Sequence, residues 1–192
     1  MVKRKQLQLL AATCLHIASK LEDEKAVNVT DLHLSADRMY NVEDIVNLEE
    51  ETLETIEWFI SSPTIHDFVL IYHECIGEIN GECFWLSQYL SELALQSTLY
   101  IKFPPSIIAA SVVALSRYCI YKSNSFPQEL ETLTGYSISE LGECLINLSS
   151  FLSQRNPDLK IIPNRYNKDK WGFVSNIGLF EVKLVSDLEK MK

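Results

Sequence analysis

The run from Leu7 to Asp23 reads LQLLAATCLHIASKLED, and its character flips at Lys20. Before Lys20 almost every residue is apolar or small; after it come Glu22, Asp23 and Glu24. A lysine offers three hydrogen-bond donors and no acceptor, so one at the rim of an apolar helix can hold carbonyls or a carboxylate. The plain alternative is a solvated helix end, and the residues alone leave both open. Catalysis has no comparable foothold. His16, His33, His66 and His73 are scattered, with no HExxH and no glycine-rich phosphate loop. Cys14 and His16 share a helix but point about 200° apart at about 100° per residue, so they make no nucleophile–base pair. Glu49, Glu50 and Glu51 read as a solvated helix face. The chain is therefore read as a binding protein and not an enzyme, with no metal site and no cofactor.

Composition narrows the partner. The 192 residues suffice for one domain or two small ones. A formal net charge of -9 opposes general nucleic-acid binding, which needs a basic face. Lys3, Arg4 and Lys5 form a short basic cluster, read as a solvated terminus with nuclear import as the other possibility. The five cysteines (Cys14, Cys75, Cys83, Cys119, Cys144) are odd in number, lack a CxxC pair and fall in helical runs. They read as buried thiols of a reducing compartment. No apolar run reaches the roughly 18 residues of a membrane span. The N-terminus has no secretory apolar core. The expected address is intracellular.

The elements that must position Lys20 are helical almost throughout. Leu7 to Asp23 lacks a polar face, and a helix apolar all round is buried on all sides. Asn28 or Thr30 caps a short helix from Asp31 to Asp37. A third helix follows Asn41, with Val42, Ile45, Leu48, Leu53 and Ile56 on one stripe, and its period runs to about Phe59. Ser61-Ser62-Pro63 breaks it. Further helices are expected over residues 65–75, 84–96, 106–121 and 127–133. Ser137 and Glu140 form a capping box for a long one ending before Asn156. Beyond Pro163 loop is expected, with a helix near Phe180 to Lys190. No strand pattern is present.

The chain also repeats itself. Leu9 to Leu15 lies over Ile107 to Val113 at an offset of 98, and Tyr40, Val42, Ile45 and Leu48 lie over Tyr136, Ile138, Leu141 and Cys144 at 96. Each copy has a buried helix, a short helix, a tyrosine and a long amphipathic helix. The second copy has two more helices upstream, where the first has only six residues. The chain thus reads as two five-helix units, the first without its opening two helices. Uncovering two or three large side chains at about 1.5–3 kcal/mol each rivals a domain's whole stability. Either the chain is part of a longer protein or a partner covers that face.

These segments carry a family resemblance. LQLLAATCLHIASKLED resembles the third helix of a cyclin box. Tyr40 to Thr64, YNVEDIVNLEEETLETIEWFISSPT, resembles its fifth helix and the linker to the second box. FPPSIIAASVVALSRY, Phe103 to Tyr118, is similar to the central helix of the second box in G2/mitotic, B-type cyclins. TGYSISELGECLINL and RYNKDKWGFVS resemble the end of that box and the tail. The resemblance spans about residues 5 to 175. It implies an all-α cyclin fold: a partial N-terminal box (1–62, helices 3–5), a C-terminal box (63–164) and a tail (165–192).

The resemblance also implies a function. Cyclins bind and activate a cyclin-dependent protein kinase, here in control of the G2/M transition and mitosis, in nucleus and cytoplasm. Docking favours the kinase arrangement in which its lysine–glutamate ion pair can form. Lys20 stands at the lysine of the family's alanine-serine-lysine motif and Glu49 at the glutamate of the fifth helix; in the family these reach each other and the kinase backbone. Leu21 stands where the family usually has Phe, and Trp58 at the Phe of the linker region. Lys25-Ala26-Val27 replaces Tyr-Pro-Pro, a less rigid link. Gln8 matches one polar member of the patch that docks kinase substrates or inhibitors, most of which lies on the absent first helix. A cyclin-fold adapter or scaffold without kinase activation is the other reading. Neither involves nucleic acid or membrane as a partner.

Overall fold

The structure, a computed structural model, describes residues 6–122, 125–156 and 158–177. Lys3 to Lys5 and the helix expected near Phe180 to Lys190 lie outside the described residues. All regular structure among the described residues is helical. No helix among the described residues is long and apolar enough to cross a membrane. The chain divides into two compact units, Met1–Ser62 and Pro63–Lys192.

The first unit holds α1 (Leu7–Glu22), α2 (Val29–Ser35) and α3 (Val42–Thr55). Both α1 and α2 pack on α3, with Leu32, Ile45 and Leu53 in the small core. Asn28 is the cap of α2: its side chain accepts from the Thr30 N–H at 2.9 Å. A capping box of Asn41 and Asp44 opens α3. The link between α1 and α2 is tied back at Val27, whose N–H donates to Ser19 Oγ and whose carbonyl lies 2.9 Å from His16 Nδ1.

Two expectations are corrected in this unit. First, α1 is not buried on all sides. Only Thr13, His16 and Ser19 are buried, Leu7 and Leu15 are each 54% exposed, and Cys14, like Cys75 on a later helix, is exposed where a buried thiol is expected. One helix, α3, supplies its main packing, and one neighbour covers one stripe. Second, α3 stops at Thr55 and does not run to Phe59. Glu57 and Trp58 adopt φ of 53° and 61°, and the Trp58 and Glu57 N–H groups return to the carbonyls of Leu53 and Glu54. This is a Schellman ending, with glutamate where glycine is usual. Apolar Ile56, Trp58 and Phe59 keep the helical period going, which hides the stop.

The second unit holds α4 (Ile65–Cys75), α5 (Glu82–Ala94), α6 (Leu99–Lys102), α7 (Pro105–Tyr121), α8 (Gln128–Thr134), α9 (Ile138–Gln154) and α10 (Ile161–Tyr166), then two 3-10 turns, Asp169–Trp171 and Val174–Asn176. The axis of this unit is α7. It packs against α4, α5 and α9, and Ile108 to Leu115 are all buried. Pro104-Pro105 starts it, Pro105 lying in the first turn where its missing N–H costs no bond. Gly135 closes α8 at φ 71°, and the Ser137–Glu140 capping box opens α9. Four residues are too few to show a period, so α6 was not expected. A loop was expected beyond Pro163; instead that proline sits in the first turn of α10, where it is tolerated.

Tyr166 on α10 anchors this end of the unit. Its ring lies 5.4 Å from that of Tyr89 and its hydroxyl donates to Glu92 at 2.8 Å. Burial is the chief cause holding the Tyr166 hydroxyl above its ordinary pKa, and the Glu92 carboxylate adds to it.

Candidate functional site

Lys20 and Glu49 meet. Lys20 lies in the last turn of α1 and Glu49 in the middle of α3, and α1 packs on α3. The Lys20 ammonium donates to both carboxylate oxygens of Glu49, at 2.6 and 2.9 Å. The Glu49 side chain is 13% exposed and that of Lys20 is 47%. The carboxylate is thus set into the surface, and the ammonium keeps donors turned toward solvent.

The pair forms one edge of an open cleft of about 530 Å³. Leu21, Leu53, Trp58 and Ile60 are among its apolar walls. Trp58 gets there through the Schellman ending of α3. That motif brings the residue after the left-handed position back against the residue three from the helix end, here Trp58 against Leu53. Trp58 remains 65% exposed and Leu21 45% exposed. A charged pair with free donor capacity therefore borders exposed apolar side chains. Such an arrangement suits a helical partner presenting an apolar side chain and main-chain groups.

Four of the residues singled out from sequence come together in this cleft: Lys20, Leu21, Glu49 and Trp58. Gln8 does not join them. It stands exposed near the start of α1. The nearby groove of about 390 Å³ is lined by Leu9, Leu10, Asp44 and Leu48 among others, and Gln8 is not part of it.

Sequence reasoning missed His16. It is buried, and its Nε2 lies 3.7 Å from Glu49 Oε2. The Nδ1 contact to the Val27 carbonyl assigns Nδ1 as a donor, which turns Nε2 toward Glu49. His16 thereby packs the inner side of the carboxylate that Lys20 holds from outside. The signal was present: His16 is four residues before Lys20, on the same helical face. Ile17 and Val46, at three residues from Lys20 and Glu49, were legible by the same spacing.

The chain matches known sequence families over nearly all its length. Residues 1–61 match the model "Cyclin, N-terminal domain" and residues 63–178 the model "Cyclin, C-terminal domain". The G2/mitotic-specific cyclin C13-1 of Daucus carota is 31% identical over 92% of this chain and 53% of its own length. Cyclin-B1-3 of Arabidopsis thaliana is 32% identical over 92% of this chain and 42% of its own. The G2/mitotic-specific cyclin-B3 of Mus musculus is 32% identical over 91% of this chain and 12% of its own. The chain thus spans about half, or less, of the length of the curated relatives it matches. With the two family models together matching residues 1–61 and 63–178 and the all-helical fold of the described residues in hand, the chain belongs to the cyclin family.

Proposed function

We propose that the chain is a regulatory subunit that binds and activates a cyclin-dependent protein kinase in the cell cycle, at the G2/M transition and in mitosis. It has no catalysis of its own and needs no cofactor. The observation that carries this reading is the Lys20–Glu49 pair at the edge of the apolar cleft with Leu21 and Trp58. The pair has donors to spare for the main chain of a kinase helix, and the cleft takes its apolar side chains. Binding the active arrangement of the kinase more tightly than the inactive one shifts its population, which is all that activation requires. The relatives named as mitotic cyclins support the stage. Nucleus and cytoplasm are the compartments this role calls for.

The test is a pulldown of a mitotic kinase with the full chain, followed by a histone-type phosphorylation assay. Capture and stimulated phosphorylation are expected, both reduced in the Lys20→Ala, Glu49→Ala double variant. Equal capture and stimulation by that variant would remove the pair from the mechanism. No capture by the unmutated chain would favour a cyclin-fold adapter.

A further inference from the structure

The loop between α4 and α5 brings three ligating side chains into one place. The end of α4 is a second Schellman motif: the Gly77 and Glu78 N–H groups return to the carbonyls of Glu74 and His73. In that motif the residues at the positions of His73 and Glu78 normally make an apolar contact. Here they are an imidazole and a carboxylate, with His73 Nδ1 3.9 Å from Glu78 Oε2. Cys83, in the first turn of α5, adds its thiol, and the three ligand atoms lie within 4.8 Å of one another. His73 is fully buried and Cys83 nearly so.

Hydrogen bonding fixes what faces what. Ser87 Oγ donates to the Cys83 carbonyl at 3.0 Å, so it must accept from His73 Nε2 at 2.9 Å. His73 therefore carries its proton on Nε2 and presents a lone pair at Nδ1. Arg117 pairs with Glu78 through Oε1. A lone pair and a carboxylate oxygen thus face each other; His73 Nδ1 has no hydrogen-bond partner among the described residues, while the Cys83 thiol lies within hydrogen-bonding reach of the Glu78 carboxylate. A buried imidazole acceptor left without a donor, beside a carboxylate and a thiol, is a place where a cation would be held.

We propose that His73, Glu78 and Cys83 form a binding site for a divalent transition metal of the zinc class. Imidazole, carboxylate and thiolate together suit such an ion and do not suit magnesium or calcium, which take oxygen ligands. Ligand atoms at about 2.0–2.3 Å from a four-coordinate ion stand roughly 3.3–3.8 Å apart. The His73–Glu78 separation is close to that, and the Glu78 side chain, 23% exposed on a loop, supplies the remaining movement. Ser87 on the far nitrogen of His73 and Arg117 on the far oxygen of Glu78 orient two of the three ligands, as outer partners do in metal sites. On binding, a metal–sulfur bond forms, the Cys83 proton leaves to bulk water, and a water molecule completes the shell. No electron moves.

The test loads the full chain, reduced and freed of metal, with zinc or cobalt(II). One equivalent is expected to bind. Cobalt should give a thiolate-to-metal charge-transfer absorption, and zinc-edge X-ray absorption should show one sulfur in the shell. Cys83→Ser should abolish the cobalt band and His73→Gln should weaken zinc binding at least tenfold, with helical circular dichroism unchanged. A wild-type chain with no band, or with zero or more than one sulfur at zinc, overturns the proposal without recourse to any variant. So does a band that survives Cys83→Ser, which would place the metal on exposed Cys14 or Cys75.

Discussion

Lys20 Nζ lies within hydrogen-bond distance of both carboxylate oxygens of Glu49, joining α1 to α3 across 29 residues of sequence. As a partly exposed ion pair it adds little to the fold, about 0–1 kcal/mol. Under the proposed kinase-binding role its value would lie at an interface, where a partner removes the remaining water. There a charge-assisted hydrogen bond is worth about 1.5–3 kcal/mol. Lys20→Ala is expected to weaken kinase binding about 10- to 100-fold while moving the melting temperature little. Calorimetric titration against the kinase, beside a thermal melt, separates the two effects. Equal losses in both would make the pair a structural contact only.

Trp58 tests the apolar side of the same cleft. Its side chain is mostly exposed in this chain, so truncation removes little packing. Buried by a partner, it would be an anchor of the kind that dominates interfaces, with about 2–4 kcal/mol at stake. Trp58→Ala is expected to weaken kinase capture at least 30-fold with unchanged helical content, and Leu21→Ala less so. Surface plasmon resonance on the immobilised kinase reads both. Wild-type affinity in the Trp58 variant would take the cleft out of the interface.

The approach to Trp58 was not legible in the sequence, and the reason is local. Lys20 and Glu49 sit at helix positions that a periodic reading places well, and the family resemblance joined them. His16 carries no catalytic spacing in the sequence, and its place as a wall behind the Glu49 carboxylate is visible once α1 packs on α3. The end of α3 was misplaced because Ile56, Trp58 and Phe59 continue an apolar period through a turn that has no glycine to mark it. The short α6 carries too few residues for a pattern, and the loop expected beyond Pro163 is instead the rest of a short helix, α10, whose first turn accommodates the proline. The buried His73–Glu78 contact hides behind a five-residue spacing that belongs to neither helix nor strand.

Glu57 is the residue glycine would usually replace. At φ 53° its Cβ crowds the following carbonyl, at a cost of about 1 kcal/mol. Glu57→Gly is expected to stabilise the chain by roughly 0.5–1 kcal/mol in urea denaturation. It should leave kinase binding intact, since the Trp58 and Glu57 backbone bonds to α3 remain. A loss of stability would show that Glu57 makes a contact outweighing its backbone strain.

Two capping boxes govern behaviour in acid. Backbone N–H groups of Thr64 and Ser137 bond the carboxylates of Asp67 and Glu140 and hold both below their ordinary pKa values. The unfolded chain therefore binds more protons than the folded one between the folded and unfolded values. The stabilisation is fully present above the ordinary carboxylate range, near pH 4–4.5, and is lost as pH falls through the lowered values. Thermal melts from pH 7 to pH 3 should show a shallower acid decline for Asp67→Asn with Glu140→Gln than for wild type. The variant should also start from a lower melting temperature at pH 7. Parallel declines would mean that other groups set the acid limit.

The repeat allows one position to be tested in both of its settings. Leu15 on α1 corresponds to Val113 on α7 at the offset of 98. Val113 is fully buried among α4, α5 and α9, whereas Leu15 is 54% exposed because α1 has its main packing from α3 alone. Val113→Ala removes two methyl groups from a close-packed site and leaves a small cavity, a cost of about 2–3 kcal/mol. Leu15→Ala deletes more carbon but from a wet surface, so a change within about 0.5 kcal/mol is expected. Equilibrium denaturation of the two variants reads the difference directly. A Leu15 variant that loses as much as the Val113 variant would mean that something covers α1 in solution, and size-exclusion chromatography of the wild-type chain would then show whether that cover is a second copy.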